Sequence, residues 1–94
     1  ARHKPLVAPF GGAEARFSTN PYCCTVPGEN GQHIVLDFAT SQVAMGKVRV
    51  AYNKRGEMEP GLLIDHEGNH TNDPGVMWGN GPFGAILPFG LHKG

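Results

Sequence analysis

The 94-residue sequence predicts an α+β fold, a mostly antiparallel β-sheet with one or two helices. Three observations carry that expectation. Two extended, β-prone runs flank the tight-turn pair Asn30-Gly31, which is the signature of a hairpin. Glycine (14) and proline (8) together make up 22 residues, too many breakers for long helices. Only residues 40–56 combine apolar residues at helical spacing with start and stop signals.

Taken in order, residues 1–19 carry Pro5, Pro9 and Gly11-Gly12 and read as an irregular lead-in with a short strand around Leu6-Val7-Ala8. The run NPYCCTV (20–26) is extended, because aromatic, cysteine and β-branched side chains suit a pleated surface. PGENG (27–31) is the turn. HIVLDFA (33–39) is the strongest strand, apolar except for Asp37, and Ile34 to Phe38 are expected to be buried. In TSQVAMGKVRVAYNKRG, Thr40 or Ser41 can cap a helix and Ala44, Val48, Ala51 and Tyr52 share one face. Lys54 and Arg55 suit its C-terminal end and Gly56 stops it. Gly46 either weakens that helix or marks a close packing contact. Val48, Val50 and Tyr52 also alternate, so a strand is the rival reading. EMEPG is a turn, LLID (62–65) a short strand, HEGNHTNDPG a loop, and Ala85 to Leu87 a last apolar run broken by Pro88.

Length and charge narrow the function classes. Ninety-four residues make one domain at most. Eight basic residues balance eight acidic ones, which argues against a nucleic-acid module and against attraction to an anionic membrane. No apolar run approaches the length of a membrane span, and no charged-then-apolar leader opens the chain. The two cysteines, Cys23 and Cys24, are adjacent; strand neighbours point to opposite faces, so a bond between them would be strained. They build no disulfide framework, which suggests a reducing, cytoplasmic setting.

Three short motifs invite chemistry that their surroundings do not support. GNGPFG (79–84) fits the dinucleotide fingerprint G-x-G-x-x-G. That fingerprint needs a strand before it, a helix after it and an acidic residue about 20 positions on. Here the turn residues Asp73-Pro74-Gly75 come shortly before, Pro82 removes a donor, and ten residues follow Gly84, so a flexible surface loop is expected. HEGNH (66–70) matches the zinc-protease string, but Gly68 and Asn69 break the helix that would bring His66 and His70 to one metal. NHT (69–71) matches a glycosylation acceptor, which is idle without a secretory leader.

The stretch IVLDFATS is the better nucleotide candidate. A strand runs into a hydroxyl pair that opens a helix, where unpaired N–H groups favour anions. Asp37 can accept hydrogen bonds from ribose hydroxyls, and Ala39 leaves room for close approach. On pattern alone, the plainer reading, that Asp37 and Thr40 merely cap the helix, is the preferred one.

The segments VAPFGG, STNPY, VLDFATSQVAMGKV, DHEGNHTNDP and ILPFGLHKG occur in that order along essentially the whole chain. Together they resemble the malate/L-lactate dehydrogenase family. The resemblance implies a non-Rossmann cofactor domain using NAD or NADP to interconvert 2-hydroxy and 2-oxo acids. In isolation, apolar faces that the rest of the parent enzyme would cover favour dimerisation or strand exchange, so a homo-oligomer is expected. Carried over position by position, Ile34, Val35, Leu36, Asp37, Phe38, Ala39 and Thr40 are expected to line the cofactor site, as are His92 and Lys93. Lys93 suits a phosphate or ribose as a point charge. Asn20 and Pro21, in TNP, are expected near nicotinamide and substrate. Phe38, Ala39 and Phe89 are candidate walls for a flat ring. Leu91 stands where relatives often carry glycine.

Members of that family run to several hundred residues, and their catalytic histidine and serine-histidine segment precede the region matched here. No catalytic residue is therefore assigned, and residues 1–94 are expected to form one partial NAD(P)-binding domain of a longer dehydrogenase, inactive alone. Two rivals stand beside it: a stand-alone domain that self-associates without nucleotide, and a metal hydrolase built on His66, Glu67 and His70.

Overall fold

The structure, a computed structural model, describes residues 5–90. It is α+β, with two sheets whose named strands pair antiparallel. Strand β1 (Pro21–Val26) pairs with β2 (Ile34–Ala39) as a separate two-stranded ribbon. Helix α1 (Met45–Asn53) follows, then β3 (Leu63–Ile64), β4 (His70–Thr71) and β5 (Ala85–Ile86), with β3 central in a second sheet.

The lead-in completes this second sheet. Val7 bridges Ile86 on one side and Phe17 on the other, so the short strand expected at Leu6-Val7-Ala8 exists as a bridged segment. The Ala8 N–H donates to the Ile86 carbonyl at 3.1 Å, and the Ile86 N–H to that of Leu6 at 2.8 Å. Val7, Val48, Leu63, Met77 and Ile86 form the main core, with Ala8, Ile64, Ala85 and Leu87 packed as a second cluster. Burial of these small apolar side chains is what holds the sheet together.

The hairpin forms as its turn chemistry requires. Asn30 (φ 57°) and Gly31 (φ 74°) take the left-handed region, which these two residue types adopt most readily. The His33 imidazole accepts from the Gly28 N–H at 3.2 Å and closes the base of the turn.

Two expectations need correction. The run Ile34–Phe38 is not a buried strand: Ile34 is 70% exposed and Leu36 50%. Its apolar character is real, but among the described residues no layer lies over the ribbon. The radius of gyration, 15.2 Å with extents of 52 × 29 × 28 Å, exceeds the ~13 Å of a compact 100-residue domain, consistent with a projecting ribbon.

The helix, secondly, does not open at Thr40-Ser41. Its N-cap is Ala44, with no side-chain cap. The hydroxyls are engaged elsewhere: Thr40 Oγ1 donates to the Asn20 carbonyl at 3.2 Å and Ser41 Oγ to the Val43 carbonyl at 3.0 Å. Backbone pairing of Ser41 with Pro88 keeps this segment extended. The helical face is otherwise as expected: Val48 is fully buried, and Tyr52 stacks on Trp78 with centroids 4.4 Å apart. Gly46 has open space at its Cβ position, so it marks no close contact.

The helix ends in a Schellman closure. The Gly56 N–H donates to the Ala51 carbonyl at 2.9 Å and the Arg55 N–H to Tyr52 at 3.0 Å. Arg55, rather than Gly56, takes the left-handed position (φ 55°). Arg55→Gly is therefore expected to stabilise the fold by about 0.5–1 kcal/mol, since a Cβ is disfavoured there. Thermal denaturation checks this, and a lower melting temperature would contradict it.

Candidate functional site

Residues 40–42 and 87–89 join the ribbon to the core. The Phe89 N–H donates to the Thr40 carbonyl at 2.9 Å, and the Gln42 N–H to Leu87 at 2.8 Å. On the other side Thr40 grips the segment before β1: its N–H reaches the carbonyls of Thr19 at 3.0 Å and Asn20 at 3.2 Å. Asn20 sits in the left-handed region (φ 43°), and its N–H donates to Ser18 Oγ at 3.3 Å. Asparagine tolerates that conformation better than most residues, and such torsions concentrate at ligand sites.

A cavity of about 400 Å³ opens at this junction, lined by Ala8, Phe10, Phe17, Asn20, Thr40 and Pro88 among others. Asn20 and Thr40, distant in sequence, thus share one pocket with two aromatic rings. Phe10 and Phe17 were missed by sequence reasoning, which treated residues 1–19 as a lead-in. The available signal was the aromatic placed directly before Gly11-Gly12 in VAPFGG.

Strand alternation divides the rest of the predicted stretch. The cross-strand partners are Pro21–Ala39, Cys23–Asp37 and Thr25–Val35 on one face, and Tyr22–Phe38, Cys24–Leu36 and Val26–Ile34 on the other. Asp37, Val35 and Ala39 therefore share a face with Pro21. Ile34, Leu36 and Phe38 point the opposite way, where Phe38 meets Tyr22 edge-on (6.1 Å) and Phe89 at a tilt (5.6 Å). One flat ligand cannot lie on both faces at mid-strand. His92 and Lys93 lie outside the described residues.

Asp37 is exposed, and its carboxylate makes no hydrogen bond to another described residue. It is thus available to accept from vicinal hydroxyls. The donor chemistry fits a nicotinamide nucleotide: an open carboxylate for ribose, aromatic walls for a ring, and a polar Asn20–Thr40 corner.

The decoy motifs are local structure. Asp65 Oδ1 accepts from the N–H groups of Glu67 and Asn69, both at 2.9 Å, making HEGNH a turn that leads into β4. Among the described residues no group of three or more His, Cys, Asp or Glu converges on a metal position. GNGPFG follows a 3-10 turn (Pro74–Met77) and precedes a strand, so it lacks the strand-to-helix setting of a phosphate loop. It is exposed as far as Phe83, but Gly84 is buried, which corrects the expectation of a wholly surface loop. A larger cavity of about 870 Å³, bounded by Leu6, Arg49, His66, Trp78 and Phe83 among others, is lined by none of the described residues expected at the cofactor or substrate. No helix among the described residues is long and apolar enough to cross a membrane.

Fold and site together define an α+β domain with a polar junction at Asn20 and Thr40 and, among the described residues, no strand-to-helix glycine loop. The malate/L-lactate dehydrogenase family profile matches residues 1–94, and the chain belongs to that family. It is 47% identical over 90 residues to hydroxycarboxylate dehydrogenase B of Escherichia coli K12, covering 96% of this chain and 25% of that one. It is 48% identical over 91 residues to an L-lactate dehydrogenase of Cupriavidus necator, covering 96% of this chain and 26% of the relative. A solved dehydrogenase structure from Sinorhizobium meliloti superposes with a TM-score of 0.81 at 40% identity, over 97% of this chain and 25% of that one. The chain therefore spans about a quarter of the length of these relatives.

Proposed function

We propose that residues 1–94 form a single, partial NAD(P)-binding domain of a longer oxidoreductase that interconverts 2-hydroxy and 2-oxo acids. The observation that carries this reading is the junction where Thr40 binds the Asn20 carbonyl through both its N–H and its hydroxyl. It joins the segment proposed for the cofactor to the segment proposed for nicotinamide and substrate, beside a pocket of a suitable size for one ring.

On this reading the nucleotide lies along the Asp37 face of the ribbon. The Asp37 carboxylate accepts from ribose hydroxyls, and Val35 and Ala39 supply an apolar floor beside it. Asn20, Pro21 and Thr40 orient the nicotinamide end, with Phe10 and Phe17 excluding water from the pocket. His92 and Lys93 complete the phosphate side, Lys93 as a cation. When bound, the coenzyme supplies or accepts a hydride; the acid-base group for the substrate oxygen belongs to the rest of the enzyme. Ile34, Leu36 and Phe38 take no direct part at mid-ribbon.

Titration of the protein with NADH and NADPH tests this. Saturable binding is expected, weakened about tenfold or more by Asp37→Ala, because hydrogen bonds to a charged acceptor are strong. Equal affinity of wild type and Asp37→Ala would remove Asp37 from the site. No binding up to millimolar coenzyme would favour a domain that self-associates without nucleotide.

A further inference from the structure

We propose that Thr40 is a positioning residue for the ligand site: it acts through Asn20, by holding that residue in a left-handed backbone conformation, rather than by touching the ligand itself. The inference rests on the nucleotide reading above and refines the part of Thr40 in it. Asn20 needs to be held. Its φ of 43° is disfavoured for a residue with a Cβ, and the ring of Pro21 crowds the residue before it and restricts it further. Asn20 lines the cavity of about 400 Å³, is exposed, and its carboxamide makes no hydrogen bond to another described residue. A donor and an acceptor are therefore presented to a ligand from a backbone outside its preferred conformation.

Three groups fix that backbone. The Thr40 N–H reaches the carbonyls of Thr19 at 3.0 Å and Asn20 at 3.2 Å. The Thr40 hydroxyl donates to the Asn20 carbonyl at 3.2 Å, with that of Thr19 at 3.5 Å. From the other side, Ser18 Oγ accepts from the Asn20 N–H at 3.3 Å. The Thr19 and Asn20 carbonyls belong to the peptide planes before and after the Asn20 Cα, so holding both sets φ and ψ together. In an extended strand these two carbonyls would point to opposite edges; the left-handed kink turns both toward Thr40. The single hydroxyl proton is committed to this grip, so Thr40 has none to donate to a coenzyme.

NADH titration of single and double variants tests this. Thr40→Val keeps the shape and the N–H arm but removes the hydroxyl, and is expected to weaken binding about three- to tenfold, the effect of one neutral hydrogen bond on the competent population. Thr40→Ser, which keeps the hydroxyl, should bind as wild type does, and Ser18→Ala should weaken binding as Thr40→Val does. In an Asn20→Ala background, Thr40→Val should cause no further loss, because a residue that acts through Asn20 has nothing left to act on. Circular dichroism should show each variant folded, and Ser18→Ala carries the same comparison if Thr40→Val does not fold. The conformation is read separately, without coenzyme. A positive φ eclipses the amide and α protons, so a strong nuclear Overhauser effect between them at Asn20 is expected in wild type and Thr40→Ser, and a weaker one in Thr40→Val. An additive loss in the Asn20→Ala background, or an Asn20 Overhauser effect unchanged by Thr40→Val, overturns the proposal. A wild type that binds no NADH overturns the nucleotide reading instead, and the Overhauser effect alone then decides whether Thr40 holds Asn20.

Discussion

Leu63→Ala is expected to cost about 2–5 kcal/mol, the range for truncating a fully buried leucine whose cavity cannot collapse. Leu63 has no exposed surface and lies on the central strand of the three-stranded sheet. It pairs with Thr71 on one side and Ile86 on the other, and packs within the cluster of Val7, Val48, Met77 and Ile86. A domain of this size holds only about 5–15 kcal/mol in all. The variant should therefore melt at a much lower temperature and show a populated unfolded fraction at 37 °C. Urea or thermal denaturation followed by circular dichroism measures this. A loss below about 1 kcal/mol would mean that the core is centred elsewhere.

Gly84→Ala is expected to cost about 1–3 kcal/mol for a different reason, overpacking. An added Cβ meets the Ile64 carbonyl and lies 2.8 Å from Val76 Cγ2 and 2.9 Å from Val76 Cβ. Neither neighbour is the free end of a flexible chain: one is backbone of β3, the other a β-branched side chain. The Gly84 N–H also donates to the Val76 carbonyl at 2.7 Å, so backing away breaks a short hydrogen bond. Gly46→Ala, with open space around it, serves as a control that should not destabilise. If the nucleotide sits on the Asp37 face, Gly84→Ala lowers the melting temperature while the folded fraction binds NADH as wild type does. Unchanged stability with lost binding would restore the glycine-rich loop as the nucleotide site.

These two positions show where sequence reasoning succeeds and where it stops. Leu63 lies in LLID, an apolar run short enough to be recognised as a strand, and the strand is there. Gly84 lies in a string that spells a phosphate loop, yet its side chain is absent because β3 and Val76 occupy the space. Glycine records that a Cβ is excluded, but not what excludes it. The hairpin was legible because Asn30-Gly31 is local turn chemistry. The helix was legible in its buried face, Val48 and the Tyr52 stack, and misread at its start. Thr40 and Ser41 are good cap residues in isolation, but the Asn20 carbonyl and pairing with Pro88 outcompete the cap. Arg55 shows the same limit at the other end: Gly56 is the better left-handed residue, but the register of the helix puts Arg55 there.

For the candidate site, the chain order of motifs was sufficient to identify the family and to nominate Asn20, Pro21 and residues 34–40. Periodicity of two already implied that this strand has two faces, but not which one faces a ligand. The burial of Ile34–Phe38 could not be inferred either, because apolar composition measures what a strand would gain from cover, not whether cover is present. Phe10 and Phe17 were invisible as pocket walls for a similar reason: they flank a glycine pair in an irregular segment with no period to read.

The sequence by itself determined the local features: the hairpin, the short strands, the helical face and the family. Each depends on residues a few positions apart, or on motifs in linear order. Only the tertiary structure decided that Asn20 meets Thr40, that Asp37 and Phe38 face opposite ways on a ribbon the other described residues leave exposed, and that Gly84 is a packing contact. Those outcomes depend on which distant backbone groups compete for the same hydrogen bonds and the same space, and that competition exists only once the chain has folded.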